Sequence, residues 1–284
     1  MRTTYPTLLE ALENANFAKH RAYTTRALGA NKSCFYLHPI TEFGAVPRLA
    51  GIESQAAMLA NNTNAFMHSQ PALHALLYGA RGCGKSSLVK ATLLPYLLDP
   101  TSSLRVLELE SAHITQLPCV FDVLRELEYR LIIFCDDLSF RTGDSAYRGV
   151  KSALQGSLEA PASNILLYAT SNIRKIIEST SNLTPSDEIT HEELALSDRF
   201  GLQIGFYNMG TQEYLALIAQ YLSSNSRQEI GSLDSHTPES STDSSASALP
   251  QNLAQNALNF AAKMGGRNAR IAEEFCIAWR NGTL

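Results

Sequence analysis

Five short apolar runs punctuate the middle of the chain: Leu73–Tyr78, Leu104–Leu109, Leu131–Cys135, Ile165–Ala169 and Leu202–Phe206. Each is too short for a helix and lacks a polar face, which predicts strands buried on both sides. Helical stretches separate them. One follows the first run over Ser86–Leu94, and Tyr147, Val150, Leu154 and Leu158 recur at helical spacing before the fourth. Strands alternating with helices predict an α/β fold with a parallel sheet covered on both faces.

The flanks follow a different pattern. About 70 residues before the first run predict mostly helix. Thr7 and Glu10 have the spacing of a capping box, and Ile52, Leu59 and Phe66 share a face of a helix over Gly51–Met67. After Phe206 the pattern is helical again, with one stripe at Tyr214, Ile218, Tyr221 and Leu222 and another at Leu253, Ala257, Ala261 and Met264. Between the stripes, Ser223–Pro250 is dense in serine and acidic residues. So little apolar surface cannot offset the entropy of ordering, which predicts a disordered insertion within the helical region.

Composition narrows the class without changing this outline. The 284 residues are 45% hydrophobic and 18% charged, enough for a sizeable core. No apolar run approaches the length of a bilayer span. Glu10 and Glu13 interrupt the apolar residues near the start, so a signal peptide is not expected and the chain reads as cytoplasmic. A net charge of −4 gives no bulk attraction to nucleic acid, leaving room only for a local basic patch. The five cysteines, Cys34, Cys83, Cys119, Cys135 and Cys276, lack the spacing of a zinc site and read as buried or incidental thiols.

The chemistry is concentrated in Gly79-Ala80-Arg81-Gly82-Cys83-Gly84-Lys85-Ser86, a full match to G-x-x-x-x-G-K-[ST] between a predicted strand and a predicted helix. Glycines let backbone N–H groups turn inward around an anion, and the helix N-terminus adds positive potential. Lys85 would bridge the β- and γ-phosphates of a nucleotide. The Ser86 hydroxyl would coordinate Mg²⁺, with Ser87 beside it. Such a loop needs an acid at the end of a neighbouring strand. Leu131-Ile-Ile-Phe-Cys-Asp136-Asp137 supplies two: Asp136 on the metal side and Asp137 to polarise the attacking water, or else both simply cap the following turn.

The order GARGCGKS, LIIFCDD, ILLYATSN, LSDRFG resembles that of AAA+ P-loop ATPases. The resemblance implies a five-stranded parallel sheet in the order 51432 and a C-terminal helical lid. It implies an N-terminal helical extension over 1–40, an ATPase core over 41–206, and a lid over 207–284 carrying the insertion 223–250. ATP with Mg²⁺ would bind in a bilobed crevice at the carboxyl ends of the strands. Asn172, beside Thr170 and Ser171, matches the residue that positions the nucleophilic water, and Arg199 matches the arginine finger that reaches a neighbouring subunit's ATP; a salt bridge near Asp198 is its other reading. Within Gly-Gly-Arg267-Asn-Ala-Arg270, Arg270 is the first choice and Arg267 the second for the lid's sensor arginine. The phrases GARGCGKSSLVKA, IIFCDDLSF, LYATSN and LSDRFG further resemble an uncharacterised bacterial family of stand-alone AAA+ proteins with a domain of unknown function, over about 35–280. That places Gly51 and Ile52 where such proteins contact adenine, unless they merely start a core helix.

The implied function is an ATPase, assembled as a homo-oligomer (a hexamer on ATP binding) that remodels an unknown protein partner. The alternatives are a nucleotide-dependent switch or adaptor with slow or no hydrolysis, and a nucleic-acid loader. Glu110–Pro118 lacks an aromatic pore loop, which counts against threading, and no basic appendage favours nucleic acid. The usual second acid of the superfamily is glutamate; Asp137 is one methylene shorter, which implies slow turnover.

Overall fold

A strand covered on both faces has no side that must be polar; the first four apolar runs become inner strands of one sheet, and the fifth becomes its edge strand. The structure is a computed structural model describing residues 8–27, 35–44, 49, 51–138, 140–141, 150–151, 153–154, 161–172, 177–178, 199–225 and 249–284. In chain order its elements begin with α1 (Leu8–Glu13), β1 (Ala22–Ala27), β2 (Phe35–Pro39), α2 (Glu53–Met67), β3 (Ala75–Gly79) and α3 (Lys85–Leu98). Next come β4 (Leu104–Glu108), a 3-10 turn (Ser111–Gln116), α4 (Leu117–Arg125), β5 (Arg130–Cys135), β6 (Phe140–Arg141), β7 (Ile165–Ser171) and β8 (Ile177–Glu178). The last are β9 (Leu202–Phe206), α5 (Thr211–Asn225), α6 (Gln251–Met264) and α7 (Ala269–Arg280). Two compact units result. One holds residues 1–47, 54–79 and 85–206; the other holds 48–53, 80–84 and 207–284.

In the first unit the main sheet has seven strands in the order β2-β1-β4-β5-β7-β3-β9, while β6 and β8 pair separately. The five expected strands are adjacent and keep the order 5-1-4-3-2 as β9-β3-β7-β5-β4, all in parallel pairs. The expectation of five strands is corrected to seven. β1 joins parallel to β4, and β2 returns antiparallel to β1. The described residues within 1–40 are therefore not a helical extension; beyond the short α1 they supply two strands of the sheet.

The pattern hid β1 because AYTTRA mixes Thr24, Thr25 and Arg26 into a strand at the side of the sheet. Thr25 is nonetheless fully buried, where its Oγ1 accepts the Glu110 N–H at 2.9 Å and lies 3.0 Å from His113 Nδ1. α4 was also unforeseen. Pro118 sits in its first turn, where no N–H is needed, and Leu117, Val120, Phe121 and Leu124 bury one face. Val150 and Leu154 lie in described helical residues, while Tyr147 and Leu158 fall outside the described ones. Thr7 also lies outside them. No helix among the described residues is long and apolar enough to cross a membrane.

Register decides where the chemistry emerges. Tyr78 pairs with Ser171, and Cys135 with Ala169, so β3, β5 and β7 end on the same side of the sheet, with β5 stopping two residues before the end of β7. The segments leaving that side begin with Ala80, Asp136 and Asn172. Three adjacent parallel strands thus deliver Gly79, the acid pair and the amide to one side.

The second unit packs α5, α6 and α7 around Tyr214, Ile218, Ala257, Ala261, Ala272 and Phe275. Tyr221 and Leu222 pack at its margin. Met264, expected on the buried stripe, is about half exposed because α6 ends there, with Gly265 in the left-handed conformation stopping the helix. Ser223, Ser224 and Asn225, expected within the disordered insertion, form the last turn of α5, and α6 begins one residue after Pro250. Residues 226–248 lie outside the described ones.

Candidate phosphate-binding site

The glycine loop has a backbone that side chains would not permit. Gly79 closes β3 at φ +129°, and a Cβ there would fall 1.8 Å from the Phe206 carbonyl oxygen, inside any possible contact. Only glycine lets β9 run this close as the chain turns out of the sheet. Lys85 then opens α3, so the motif's lysine and serine occupy the first turn of a 14-residue helix.

In the first unit the side chains around this turn interlock. Lys85 is 6% exposed, and its Nζ donates to the Gly79 carbonyl at 2.9 Å and to Asn172 Oδ1 at 3.1 Å. The other end of the same amide donates to the Asp137 carboxylate. Asn172 thus links the motif lysine to the second acid. Ser86 Oγ donates to Asp136 Oδ1 at 2.5 Å, which brings together two oxygens of the kind that bind hard divalent cations. Ser87 stands beside it on α3, partly buried.

Asp137 has φ +54°, a left-handed conformation that Asp and Asn tolerate better than most residues. The turn is held from β7. Thr170, 2% exposed, donates its hydroxyl to Asp136 Oδ1 at 2.5 Å and accepts the Asp137 N–H at 2.9 Å, while its carbonyl accepts the Leu138 N–H at 2.7 Å. Sequence reasoning named Thr170 only as a neighbour of Asn172. Beside Ser171 and Asn172 its hydroxyl is one polar group among several, so the sequence does not single it out. Cys135, just before the acid pair, is fully buried; burial, and then the charge of Asp136, push its thiol well above the usual range, so it stays protonated.

The second unit holds the rest of the loop. Arg81 is exposed, Ala80 is partly buried, and Cys83 is buried with its Sγ 3.5 Å from the Tyr207 carbonyl. A Cβ on Gly84 would meet Ile52 Cδ1 at 3.4 Å and Leu49 at 3.6 Å, and one on Gly51 would meet Met209 at 3.5 Å. Gly51 and Ile52 therefore belong to the same unit as the loop, with Ile52 buried beside Gly84 and Gly51 exposed. Arg270 is exposed in the first turn of α7. Arg267 instead donates its Nε–H to the Met209 carbonyl at 3.1 Å, and the Met209 N–H returns to the Arg267 carbonyl at 2.8 Å. Asn268, which sequence reasoning passed over, caps α7 and touches the loop. Arg199, back in the first unit, is exposed next to the buried Phe200, three residues before β9 begins.

Solved structures resemble this fold at low identity. The Orc1 protein of Aeropyrum pernix, determined in complex with DNA, is 15% identical with a TM-score of 0.50, over 83% of this chain and 62% of that one. The present chain thus spans 62% of the Orc1 protein's length, and the likeness is one of fold. The RuvB Holliday junction branch migration motor of Thermotoga maritima is 13% identical, with a TM-score of 0.41 over 80% of this chain and 68% of that one. PCH-2 of C. elegans is 17% identical, with a TM-score of 0.45 over 81% and 69%. No curated protein sequence matches the chain. The fold class, an α/β fold with a mostly parallel sheet and helices, matches that of AAA+ P-loop cores. Residues 18–283 match the model of the family described as "Protein of unknown function (DUF815)", and the chain belongs to that family.

Proposed function

We propose that this protein binds ATP with Mg²⁺ through Gly79–Ser86 and hydrolyses it to ADP and phosphate, slowly, at sites completed by a neighbouring copy of the chain. The observation that carries the reading is the hydrogen bond between Ser86 and Asp136 at the first turn after the glycine loop. It sets a hydroxyl and a carboxylate side by side where a metal held by few protein oxygens and by phosphates would sit. The residues present fit such a group: oxygen donors for Mg²⁺, glycines and a buried lysine for phosphate.

Bound ATP·Mg²⁺ would supply the γ-phosphoryl group and neutralise the charge that develops on it. The chain does the rest by position. Lys85 contributes a point charge to the β- and γ-phosphates. Asp136, with Ser86, holds the metal side. Asp137 accepts a hydrogen bond from the attacking water and orients it, and Asn172 keeps Lys85 and Asp137 at a fixed distance. Arg199 acts in the next subunit's site, and Arg270 serves as the lid's sensor arginine. Gly51 and Ile52 border the base.

The slow-switch reading also has support. Asp137 is short, sits in a constrained turn, and already accepts from Asn172. Within an assembly that remodels a protein partner, such a site would favour long-lived ATP states over rapid turnover. Nucleic acid as the partner has less support, given the net charge of −4.

Calorimetry with ATP and Mg²⁺ tests the reading. Lys85→Ala should weaken binding at least tenfold, since a charge-assisted contact contributes about 1.5–3 kcal/mol. Asp137→Asn keeps the backbone preference and should bind ATP like wild type while losing phosphate release. Equal affinity for wild type and Lys85→Ala would reject the site.

A further inference from the structure

Asn268 has a side chain whose two ends do different work. Its Oδ1 accepts the Ile271 N–H at 3.0 Å and caps α7, a helix of 12 residues. Its Nδ2 donates to the Arg81 carbonyl at 3.1 Å, inside the glycine loop. The assignment of the two ends is forced, because Ile271 N–H can only donate and a carbonyl can only accept. The residue is 7% exposed, so water does not compete freely for either bond.

The contact extends to the next peptide. A Cβ on Gly82 would fall 2.9 Å from Asn268 Oδ1, and the Arg270 N–H faces the Gly82 carbonyl at 3.5 Å, the long limit of a hydrogen bond. The carbonyls of both Arg81 and Gly82 are therefore turned toward the first turn of α7. In a planar trans peptide the carbonyl and the following N–H point in opposite directions. Fixing these two carbonyls therefore aims the N–H groups of Gly82 and Cys83 away from α7, as donors for an anion. With φ values of +75° at Gly82 and +89° at Gly84, the loop has several other conformations open to it.

We infer that Asn268 is a positioning residue for nucleotide binding: its Nδ2 sets the peptide orientation of the phosphate loop, while its Oδ1 caps the helix. The inference rests on the reading that Gly79–Ser86 binds a nucleotide. Two substitutions remove the donor end while leaving a residue that can still start a helix. Asn268→Asp caps a helix as well as asparagine but cannot donate when ionised, and Asn268→Gly removes the donor without adding charge and is a fair N-cap.

The test measures binding of ATPγS with Mg²⁺ by calorimetry, steady-state ATP turnover, and hydrogen exchange of the 79–88 amides without nucleotide. Asn268→Gly should weaken ATPγS about three- to tenfold, the range for one lost hydrogen bond. Asn268→Asp should weaken it further, because an anion then stands against the loop. KM should rise with kcat nearly unchanged, and loop exchange should quicken in both variants while the melting temperature of Asn268→Asp stays near wild type. Wild-type affinity in both variants overturns the inference. Should the wild type itself take up no ATPγS, the nucleotide reading fails separately, and the exchange arm then decides: unchanged loop exchange overturns the positioning role, and faster exchange upholds it.

Discussion

Thr170 places one hydroxyl between two neighbouring acids, and its hydrogen bonds bear on both. It donates to the Asp136 carboxylate and accepts the Asp137 N–H, so it orients that acid, proposed to face the metal, and holds the left-handed turn of its neighbour at once. Valine has nearly the same shape and neither bond. Hydrogen bonds to charged groups contribute about 1.5–3 kcal/mol, so Thr170→Val should lower kcat on the order of 10- to 100-fold and raise the Mg²⁺ concentration needed for half-maximal rate. Thr170→Ser keeps the hydroxyl and should recover most of both. A Thr170→Val protein with an unaltered Mg²⁺ requirement would mean that the turn is held by its backbone alone. The residues Asp136, Asp137, Lys85 and Ser86 were legible as candidates because their residue types stand at the spacing of a known motif. Thr170 and Asn268 were not, because each acts through hydrogen bonds to residues far away in sequence, and nothing nearby in sequence marks them.

Among the elements, β3 and β7 are tied by an unusual link. His74, just before β3, accepts the Leu167 N–H of β7 on Nδ1 at 3.0 Å, which requires that nitrogen to be unprotonated. Burial lowers its pKa from 6.5 to about 4. The folded pKa lies below the unfolded one, so the stabilising effect of a neutral ring is complete above pH 6.5. It is lost as pH falls toward 4, because the unfolded chain takes up a proton that the folded chain refuses. At pH 5 this amounts to about 2 kcal/mol, from roughly 1.5 units at 1.36 kcal/mol each. An asparagine substituted for His74 would offer Oδ1 in place of Nδ1 and not titrate. Urea unfolding at pH 7 and pH 5 should therefore show a loss for wild type about 2 kcal/mol greater than for His74→Asn, and equal losses would refute the link. β3, β4, β5 and β7 could be read from their apolar runs because both faces are buried, and β9, the edge strand, from its own short run. β1 and β2 could not, since their residues include Thr24, Arg26 and His38 and their role as strands depends on pairing at the sheet edge. α4 was hidden by its short length and by Pro118, which reads as a breaker unless the helix start is known.

At the scale of the molecule, the order 5-1-4-3-2 in the first unit brings Gly79, Lys85, the acid pair and Asn172 to one side of the sheet, and β1 and β2 widen the flank beyond β4. Arg199 is exposed on the same unit. A cationic side chain at the surface, placed by resemblance where AAA+ proteins carry their arginine finger, is proposed to complete the site of another copy. Head-to-tail contacts of that kind close into a ring when the rotation allows. Hydrolysis of ATP at sites shared between copies can then be read from phosphate release by four samples: wild type, Lys85→Ala, Arg199→Ala, and an equal mixture of the two variants. Wild type should release phosphate and either variant alone very little, since such an arginine contributes about 10³–10⁵ in rate in related phosphoryl transfer. The mixture should recover part of the activity, because some intact loops then face intact arginines. Release by Arg199→Ala at the wild-type rate, or none from wild type above the Lys85→Ala background, would rule out shared sites.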